Sequence, residues 1–355
     1  MLRGGPGQLP RDMVEDIGSG RLALVEQGER GSAPSYFGRH QRPAALATLD
    51  FSHPASELAA LVRGLDFGSY PNPLARPKIY LGERCLLVRS AQVIPDAGFV
   101  PPGTVLRVDP DAVHIATGEG ALVLGGCSDG WGQSSAHGLV AGRVLPALDD
   151  ALRDQLAERM PRIAKGEAFW RQAFAALAPV EVPYPQTLAL PQSGAAVALR
   201  VRLDTPARGA TTVAAFFAWL SALTGQQRVS ALYADAPLTE QTGGLAAWLS
   251  PWVPLTLTSS PEASLLQACA RAEIGIAEIH QAGPYARDLP SRLGGHPVTR
   301  DGLGQIGVSL SGDPEPQALA LLLTVDPSTE RLELVADGAV FASETVHIMA
   351  DHLGA

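Results

Sequence analysis

Cysteine is scarce in this chain of 355 residues. Its three cysteines, Cys85, Cys127 and Cys269, are far apart and odd in number, and no two stand in a C-x-x-C spacing. Neither a disulfide framework nor a cysteine zinc site is therefore indicated. His347 and His352 also miss the i, i+4 spacing of a helical metal pair, so the sequence predicts no metal site.

Lysine is scarcer still. Only Lys78 and Lys165 are lysines among the 27 basic residues, and the formal net charge is −9. A sequence-independent phosphate binder normally presents a basic face, because counterion release drives that affinity. The composition therefore gives no reason to expect a nucleic acid as partner.

Long hydrophobic runs are also lacking. No apolar run reaches the roughly 18 to 20 residues that cross a bilayer. The first twenty residues, MLRGGPGQLPRDMVEDIGSG, contain no apolar signal-peptide core. We therefore predict a cytoplasmic protein with no membrane partner. A content of 46% hydrophobic and 18% charged residues predicts an ordinary globular core, and the length allows two or three domains.

Two kinds of periodicity follow each other along the chain. Residues 49–66 have apolar side chains at helical spacing behind a cap-like Ser52. Short alternating runs come next, separated by Gly, Pro and Asp: KIYLG, RCLLVRSAQVI, GTVLRVD, AVHIAT and GALVLGG. Runs of this length at near-regular spacing predict a small antiparallel barrel.

From about Leu145 the period lengthens. The stretches LDDALRDQLAERM and GEAFWRQAFAALA predict two helices. Strand patterns then alternate with helical ones, including a long helix from Pro261 to about Gln281. This alternation predicts a layered α/β domain.

The barrel-like region resembles a known family. LDFSHPASELAALVRGLD, PKIYLGERCLLVRSAQVI and PPGTVLRVDPDAVHIATGEGALVL are similar to the C-terminal, OB-like domain of methionyl-tRNA formyltransferases and of formylating domains in nonribosomal peptide synthetases. In that family a separate core carries the catalytic Asn, His and Asp and binds formyl-folate. The 35 leading residues are too few for this core, so the resemblance implies an accessory domain without a folate cofactor.

The charge of this region does not favour the tRNA-binding role of that family. Between Tyr36 and Pro146 the chain has nine Lys and Arg and nine Asp and Glu, a net charge of zero. A balanced surface is unpromising for a polyanion.

The second half resembles another family. GEAFWRQAFAALAPVEVPYP, FFAWLSALTGQQRVSALYADAP, SPWVPLTLT and SLLQACARAEIGIAEIHQAGPYARDL are similar, in order, to the C-terminal half of a peptide-synthetase condensation domain. Such a domain has two chloramphenicol-acetyltransferase-like lobes, with its His-His-x-x-x-Asp-Gly motif in the first. No two histidines are adjacent in this chain, so the resemblance implies one lobe without the catalytic motif.

The segment EIHQAGPYARDL provides the candidate binding residues, His280, Gln281, Tyr285 and Arg287. They are placed to contact a ligand or partner at the lobe edge. The alternative is structural: His280 interacts with the helix C-terminus, where the dipole favours a cation, and Tyr285 packs the turn. No residue is assigned as catalytic.

Two further motifs have structural explanations. GLGQIG, Gly302 to Gly307, satisfies G-x-G-x-x-G, but the strand-like VSLSG follows where a dinucleotide site needs a helix, so no cofactor is predicted. Cys127, Ser128 and Asp129 lie in a Gly-rich stretch with no neighbouring base, which favours a turn over a nucleophile.

The fold class predicted from these observations is multi-domain: a small OB-like antiparallel β-barrel plus an α/β (chloramphenicol-acetyltransferase-like) condensation half-lobe. The predicted division is residues 1–35, a remnant or linker of a formyltransferase core; 36–145, the OB-like domain; 146–185, a helical linker; and 186–355, the α/β lobe.

The functional hypothesis is a non-catalytic platform in nonribosomal peptide biosynthesis, with an adenylation domain and a phosphopantetheinyl carrier protein as partners. The alternative is an acyl- or formyl-transfer enzyme completed by another chain or by dimerisation. A half-lobe leaves an apolar face to be covered, which predicts self-association or partner binding under either hypothesis.

Overall fold

The computed structural model describes most of the chain, in these ranges: 9–21, 38, 40–95, 98–135, 138–180, 198–259, 262–294, 305–311, 319–326 and 330–354. The chain forms two compact units, Met1–Arg39 and His40–Ala355. In the first, helix α1 spans Leu9–Gly18 and leaves Val14 and Ile17 exposed. None of the helices in the described ranges combines the length and apolar character that a membrane crossing requires.

The second unit begins with helix α2 and six short strands. They are α2 Ala55–Gly64, β1 Lys78–Tyr80, β2 Cys85–Leu87, β3 Ser90–Ile94, β4 Val105–Val108, β5 Ala112–Ala116 and β6 Ala121–Gly125. Strands β1 and β2 pair with each other, and the other four form an antiparallel sheet in the order β3-β6-β5-β4. The strands match the predicted alternating runs. Within the described ranges their pairing does not close into a ring, so the OB-like barrel stays a prediction.

Helix α2 begins differently from the sequence prediction. Ser52 was expected as its cap, but the Ser52 hydroxyl donates to Asp50 Oδ1 at 2.7 Å and Pro54 occupies the N-cap position without a side-chain hydrogen bond. The carbonyl of Glu119 instead accepts a hydrogen bond from the Ala55 amide at 3.0 Å. The prediction of Ser52 was wrong because a tertiary contact satisfies an amide that usually needs a local cap.

Helix α3 spans Asp150–Ala175, and it replaces the two helices predicted here. It continues through Pro161, although an internal proline normally interrupts the hydrogen-bond ladder. Its buried side chains include Leu156, Met160, Trp170 and Phe174, which belong to two different hydrophobic clusters. Packing along its whole length keeps the helix continuous and joins the β-rich part to the rest of the unit.

The remainder is a six-stranded mixed sheet with helices. The strands are β7 Ala198–Pro206, β8 Arg228–Ala234, β10 Val253–Thr258, β12 Ile306–Ser309, β13 Leu321–Asp326 and β14 Arg331–Asp337, in the order β10-β8-β12-β13-β14-β7. Strand β12 is parallel to β8 and β13, and the other pairs are antiparallel. This arrangement confirms an α/β fold in the second half.

The helices of this half are α4 Ala210–Thr224, α5 Ala236–Thr242, α6 Leu265–Ala282 and α7 Ser343–Gly354. A small two-stranded sheet pairs β9 Leu249–Ser250 with β11 Tyr285–Ala286. Helix α6 begins with a capping box, in which Ser264 and Gln267 satisfy each other's backbone amides. Strand β12 begins at Ile306, inside the GLGQIG motif, and continues into the VSLSG stretch that was predicted as a strand, while Gly302 to Gly304 lie outside the described residues.

Candidate functional site

The four predicted site residues lie around the C-terminus of helix α6. His280 is in the last turn of the helix and Gln281 is exposed. Tyr285 is buried in β11, where its ring packs against Trp170 and Phe174. The exposed side chain of Arg287 donates from Nε to the carbonyl of Ala246 at 2.7 Å. Tyr285 thus belongs to the core, and ligand or partner binding by the four residues stays a prediction.

His280 forms a hydrogen-bonded group with Asp235 and Tyr233. Asp235 Oδ2 lies 2.6 Å from His280 Nε2 and 2.5 Å from the Tyr233 hydroxyl. Asp235 Oδ1 accepts the amide of Leu238 at 3.1 Å and so caps helix α5. Burial and the bond to Asp235 raise the pKa of Tyr233 well above its usual value, so Tyr233 stays a proton donor to the carboxylate.

The carboxylate sets the orientation of the imidazole. Because Nε2 faces Asp235, Nδ1 is the ring nitrogen of His280 that does not contact this carboxylate. A histidine held in this way by a carboxylate has the arrangement of a general base. The His280 side chain is 31% exposed, so a ligand at the surface could reach it.

A second group of charged side chains is buried, and two of its members follow strand β11 in the chain. Lys78 Nζ lies 2.7 Å from Asp288 Oδ2, and Arg292 Nε lies 3.2 Å from Asp288 Oδ1. Glu167 continues the group, with Oε1 at 2.5 Å from Arg292 Nη2 and Oε2 at 2.9 Å from Arg42 Nη2. The side chains of Asp288 and Arg292 are 0% exposed and that of Lys78 is 1% exposed. We call these five residues the ionic cluster.

The ionisation of the cluster is fixed by mutual pairing. Burial by itself would raise the pKa of Asp288, but Arg292 and Lys78 beside it hold that pKa far below its usual value. Burial would likewise lower the pKa of Arg292, but Asp288 and Glu167 raise it. Both groups are therefore charged across the physiological range and have no proton to exchange, which makes the cluster structural.

The cluster connects the β-rich part of the unit to the α/β part. Arg42 and Lys78 precede helix α3, whereas Asp288 and Arg292 follow α6. Neighbouring contacts cross the same boundary: Trp248 Nε1 donates to Thr48 Oγ1 at 2.9 Å, and the Trp248 ring stacks on Tyr80 at 4.7 Å. The β-rich part and the α/β part therefore share one buried interface.

The sequence analysis did not predict the ionic cluster, although Asp288 belongs to the segment EIHQAGPYARDL. Asp288 and Arg292 stand four positions apart beside the predicted site, and Lys78 is the first residue of the strand pattern KIYLG. A lysine at such a position is a recognisable signal, because lysine is almost never fully buried unless it is paired. Its partner, 210 positions away, has no local signature.

Helix α6 also presents an apolar surface, which we call the α6 face, consisting of Leu265, Leu266, Ala270 and Ile274. Leu266 is 80% exposed and Ile274 is 61% exposed. Three of these side chains follow each other at four-residue spacing, so they lie on one side of the helix. Large exposed aliphatic side chains in one stripe are typical of a contact surface.

The Cys-Ser-Asp stretch forms a turn. Asp129 Oδ1 accepts the amides of Trp131 and Gln133, each at 2.9 Å. Burial raises the pKa of Cys127 to about 11, so its thiol is protonated at neutral pH and a poor nucleophile. In the part of the chain that the structure describes, no three His, Cys, Asp or Glu side chains are grouped as metal ligands.

Residues 43–131 match the family model described as formyl transferase, C-terminal domain. A methionyl-tRNA formyltransferase of Bordetella parapertussis is 36% identical over 118 residues, which cover 33% of this chain and 35% of that protein. The chain therefore spans about a third of the length of the curated relatives it matches.

The chain also has partial likenesses among solved structures. The starter condensation domain of rhizomide synthetase, in a product-released conformation, is 20% identical with a TM-score of 0.43, over 59% of this chain and 56% of that chain. The X-domain from teicoplanin biosynthesis is 16% identical with a TM-score of 0.41, over 67% of this chain and 69% of that one. The family match confirms the resemblance to formyltransferase C-terminal domains for residues 43–131, and the truncated-lobe assignment stays a prediction.

Proposed function

We propose that this chain is a non-catalytic interaction platform in nonribosomal peptide biosynthesis. It would join an OB-like formyltransferase C-terminal domain to one condensation-like lobe and position an adenylation domain, a carrier domain or a trans-acting enzyme. The observation that carries the proposal is the ionic cluster, which holds the two parts in one arrangement.

A platform must keep its binding surfaces at a constant separation, and the cluster has the chemistry to do so. Removing charges from water costs several kcal/mol per ion, so Lys78, Asp288 and Arg292 are stable only where each meets its partner. Alternative arrangements of the two parts would leave buried charges unpaired. Such a device restricts the unit to one geometry, which is what positioning requires and what a flexible tether would not provide.

The α6 face supplies a surface for the partner. Its apolar residues are bordered by the exposed carboxylates Glu273 and Glu278. An apolar centre with a charged rim is the usual composition of a protein interface. We assign this face to the adenylation domain or to the phosphopantetheinyl carrier protein, with basic residues on the partner facing the two glutamates.

The test is binding of the purified chain to purified adenylation and carrier domains of a peptide synthetase, measured by titration calorimetry. The double variant Leu266→Gln, Ile274→Gln should weaken binding roughly tenfold or more, since interface anchors are each worth over 1 kcal/mol. Ile348→Gln is the matched control, because this isoleucine is 57% exposed on α7. Equal binding by the double variant and the control would refute the α6 assignment, and no binding by the wild type would refute the platform.

The second candidate function is an acyl- or formyl-transfer enzyme completed by another chain or by dimerisation. The pair of His280 and Asp235 favours it, since a surface histidine oriented by a carboxylate is the arrangement of a general base. His280→Ala distinguishes the two functions in a product assay with the partner present. Lost product with intact partner binding supports the enzyme, whereas unchanged product supports the platform.

A further inference from the structure

A pocket of about 310 Å³ lies between the end of strand β2, the turn after strand β6 and the segment that follows β11. The residues that line it include Arg76, Arg89, Ser128, Trp131, Ser134 and Ser291. None of these residues belongs to the ionic cluster or to the group around His280. The pocket thus provides a separate set of side chains with a chemistry of its own.

Two arginines contribute positive charge to this pocket. Arg76 Nη2 donates to the carbonyl of Ser291 at 3.3 Å, and the Arg89 side chain is exposed at the other wall. Among the described residues, no carboxylate forms an ion pair with either guanidinium. Burial lowers the pKa of Arg76, and the charge of Arg89 lowers it further, so the two cations act on each other across the pocket.

The nearest carboxylates are engaged elsewhere. Asp129 accepts two amides of its own turn, and Asp288 pairs with Lys78 and Arg292 in the ionic cluster. The charges of Asp66 and Asp288 act on Arg76 in the opposite direction to burial and Arg89, but neither carboxylate forms an ion pair with it. Since neither arginine has an ion-pair partner among the described residues, an anion in the pocket would supply one to both.

The other lining groups favour one kind of anion. Guanidinium groups bind phosphate oxygens in a bidentate manner, and the hydroxyls of Ser128 and Ser134 add neutral donors for further oxygens. Trp131 is half-buried and gives the pocket an aromatic wall. A carboxylate has two oxygens, whereas a phosphate monoester offers three terminal oxygens and nearly two charges, which matches two arginines better.

We propose that this pocket binds the phosphate monoester of a small organic molecule, with Arg76 and Arg89 on the phosphate and Trp131 against the apolar part of the ligand. The volume is at the lower end for small-molecule sites, so the ligand is a small one. The inference does not depend on the platform function.

Phenyl phosphate is the probe, and inorganic phosphate and benzoate are the comparison ligands, each titrated into the full chain by calorimetry. We expect saturable binding of phenyl phosphate, with weaker binding of the other two. Arg89→Gln should weaken it roughly tenfold or more, because a hydrogen bond to a charged group is worth about 1.5–3 kcal/mol. Arg63→Gln, which changes an exposed arginine of α2 that does not line the pocket, should bind as the wild type does.

Two outcomes would overturn the proposal: no saturable binding of phenyl phosphate at millimolar concentration, or equal losses in the Arg89 and Arg63 variants. Benzoate binding as tightly as phenyl phosphate would overturn the choice of phosphate. A second variant, Arg89→Glu, should abolish binding by reversing the charge. Trp131→Leu should remove the preference for phenyl phosphate over inorganic phosphate, and its melting temperature shows whether the fold is intact.

Discussion

His280 and Asp288 stand eight positions apart in one segment, yet their surroundings are opposite. His280 is 31% exposed and shares the carboxylate of Asp235 with Tyr233. Asp288 is 0% exposed and is held between two cations. The first group is open to solvent, whereas Asp288 cannot lose its charge without leaving a buried cation unpaired. Burial therefore separates a partly exposed histidine from a fully buried structural carboxylate within a single segment.

The largest expected effect comes from removing one charge from the ionic cluster. Asp288→Asn removes the charge that neutralises Lys78 and Arg292, so we expect the free energy of unfolding to fall by about 3–5 kcal/mol. Urea denaturation measures the change. Asp154→Asn, at an exposed position of α3, is the control and should change the free energy by less than about 0.5 kcal/mol. A loss of that small size for Asp288→Asn would contradict the role given to the cluster.

A smaller effect is the acid dependence of stability. Burial alone would raise the pKa of Asp288, but Arg292 and Lys78 lower it below its ordinary value of 3.8. The folded state then binds fewer protons than the unfolded state, so this contribution is present above that value and decreases as the pH falls below it. We expect unfolding free energies measured down to acid pH to fall less steeply for Asp288→Asn than for the wild type. Identical slopes would show that Asp288 does not titrate between the two states.

The smallest effect is expected from substitution of His280, the more exposed of the two residues compared. His280→Gln keeps a polar group near Asp235, and the hydrogen bond between the two side chains contributes about 0.5–1.5 kcal/mol. Thermal unfolding should therefore differ little from that of the wild type at neutral pH. A destabilisation as large as that of Asp288→Asn would make His280 a structural residue and remove the observation that favours the enzyme.

Several elements could be predicted from sequence because their signals are local. The alternating runs gave strands β1 to β6, and the long helix was predicted over the region where α6 lies. Helix α5 was missed although Asp235 and Pro237 form a capping signal, because seven residues are too few for a visible period. Two helices were predicted where α3 lies, one on each side of the stretch that contains Pro161, whereas packing on two hydrophobic clusters keeps the helix continuous.

The sequence by itself determined the kinds of elements, the lack of a basic face and the resemblance of residues 43–131 to a formyltransferase C-terminal domain, since these depend on spacing and composition along the chain. The tertiary structure alone decided that Lys78 meets Asp288 across 210 positions and that Glu167 meets Arg292 across 125. Local periodicity contains no information about which distant charges will be buried together. For this protein, that pairing decides which charged residues stabilise the fold and which remain available to a ligand.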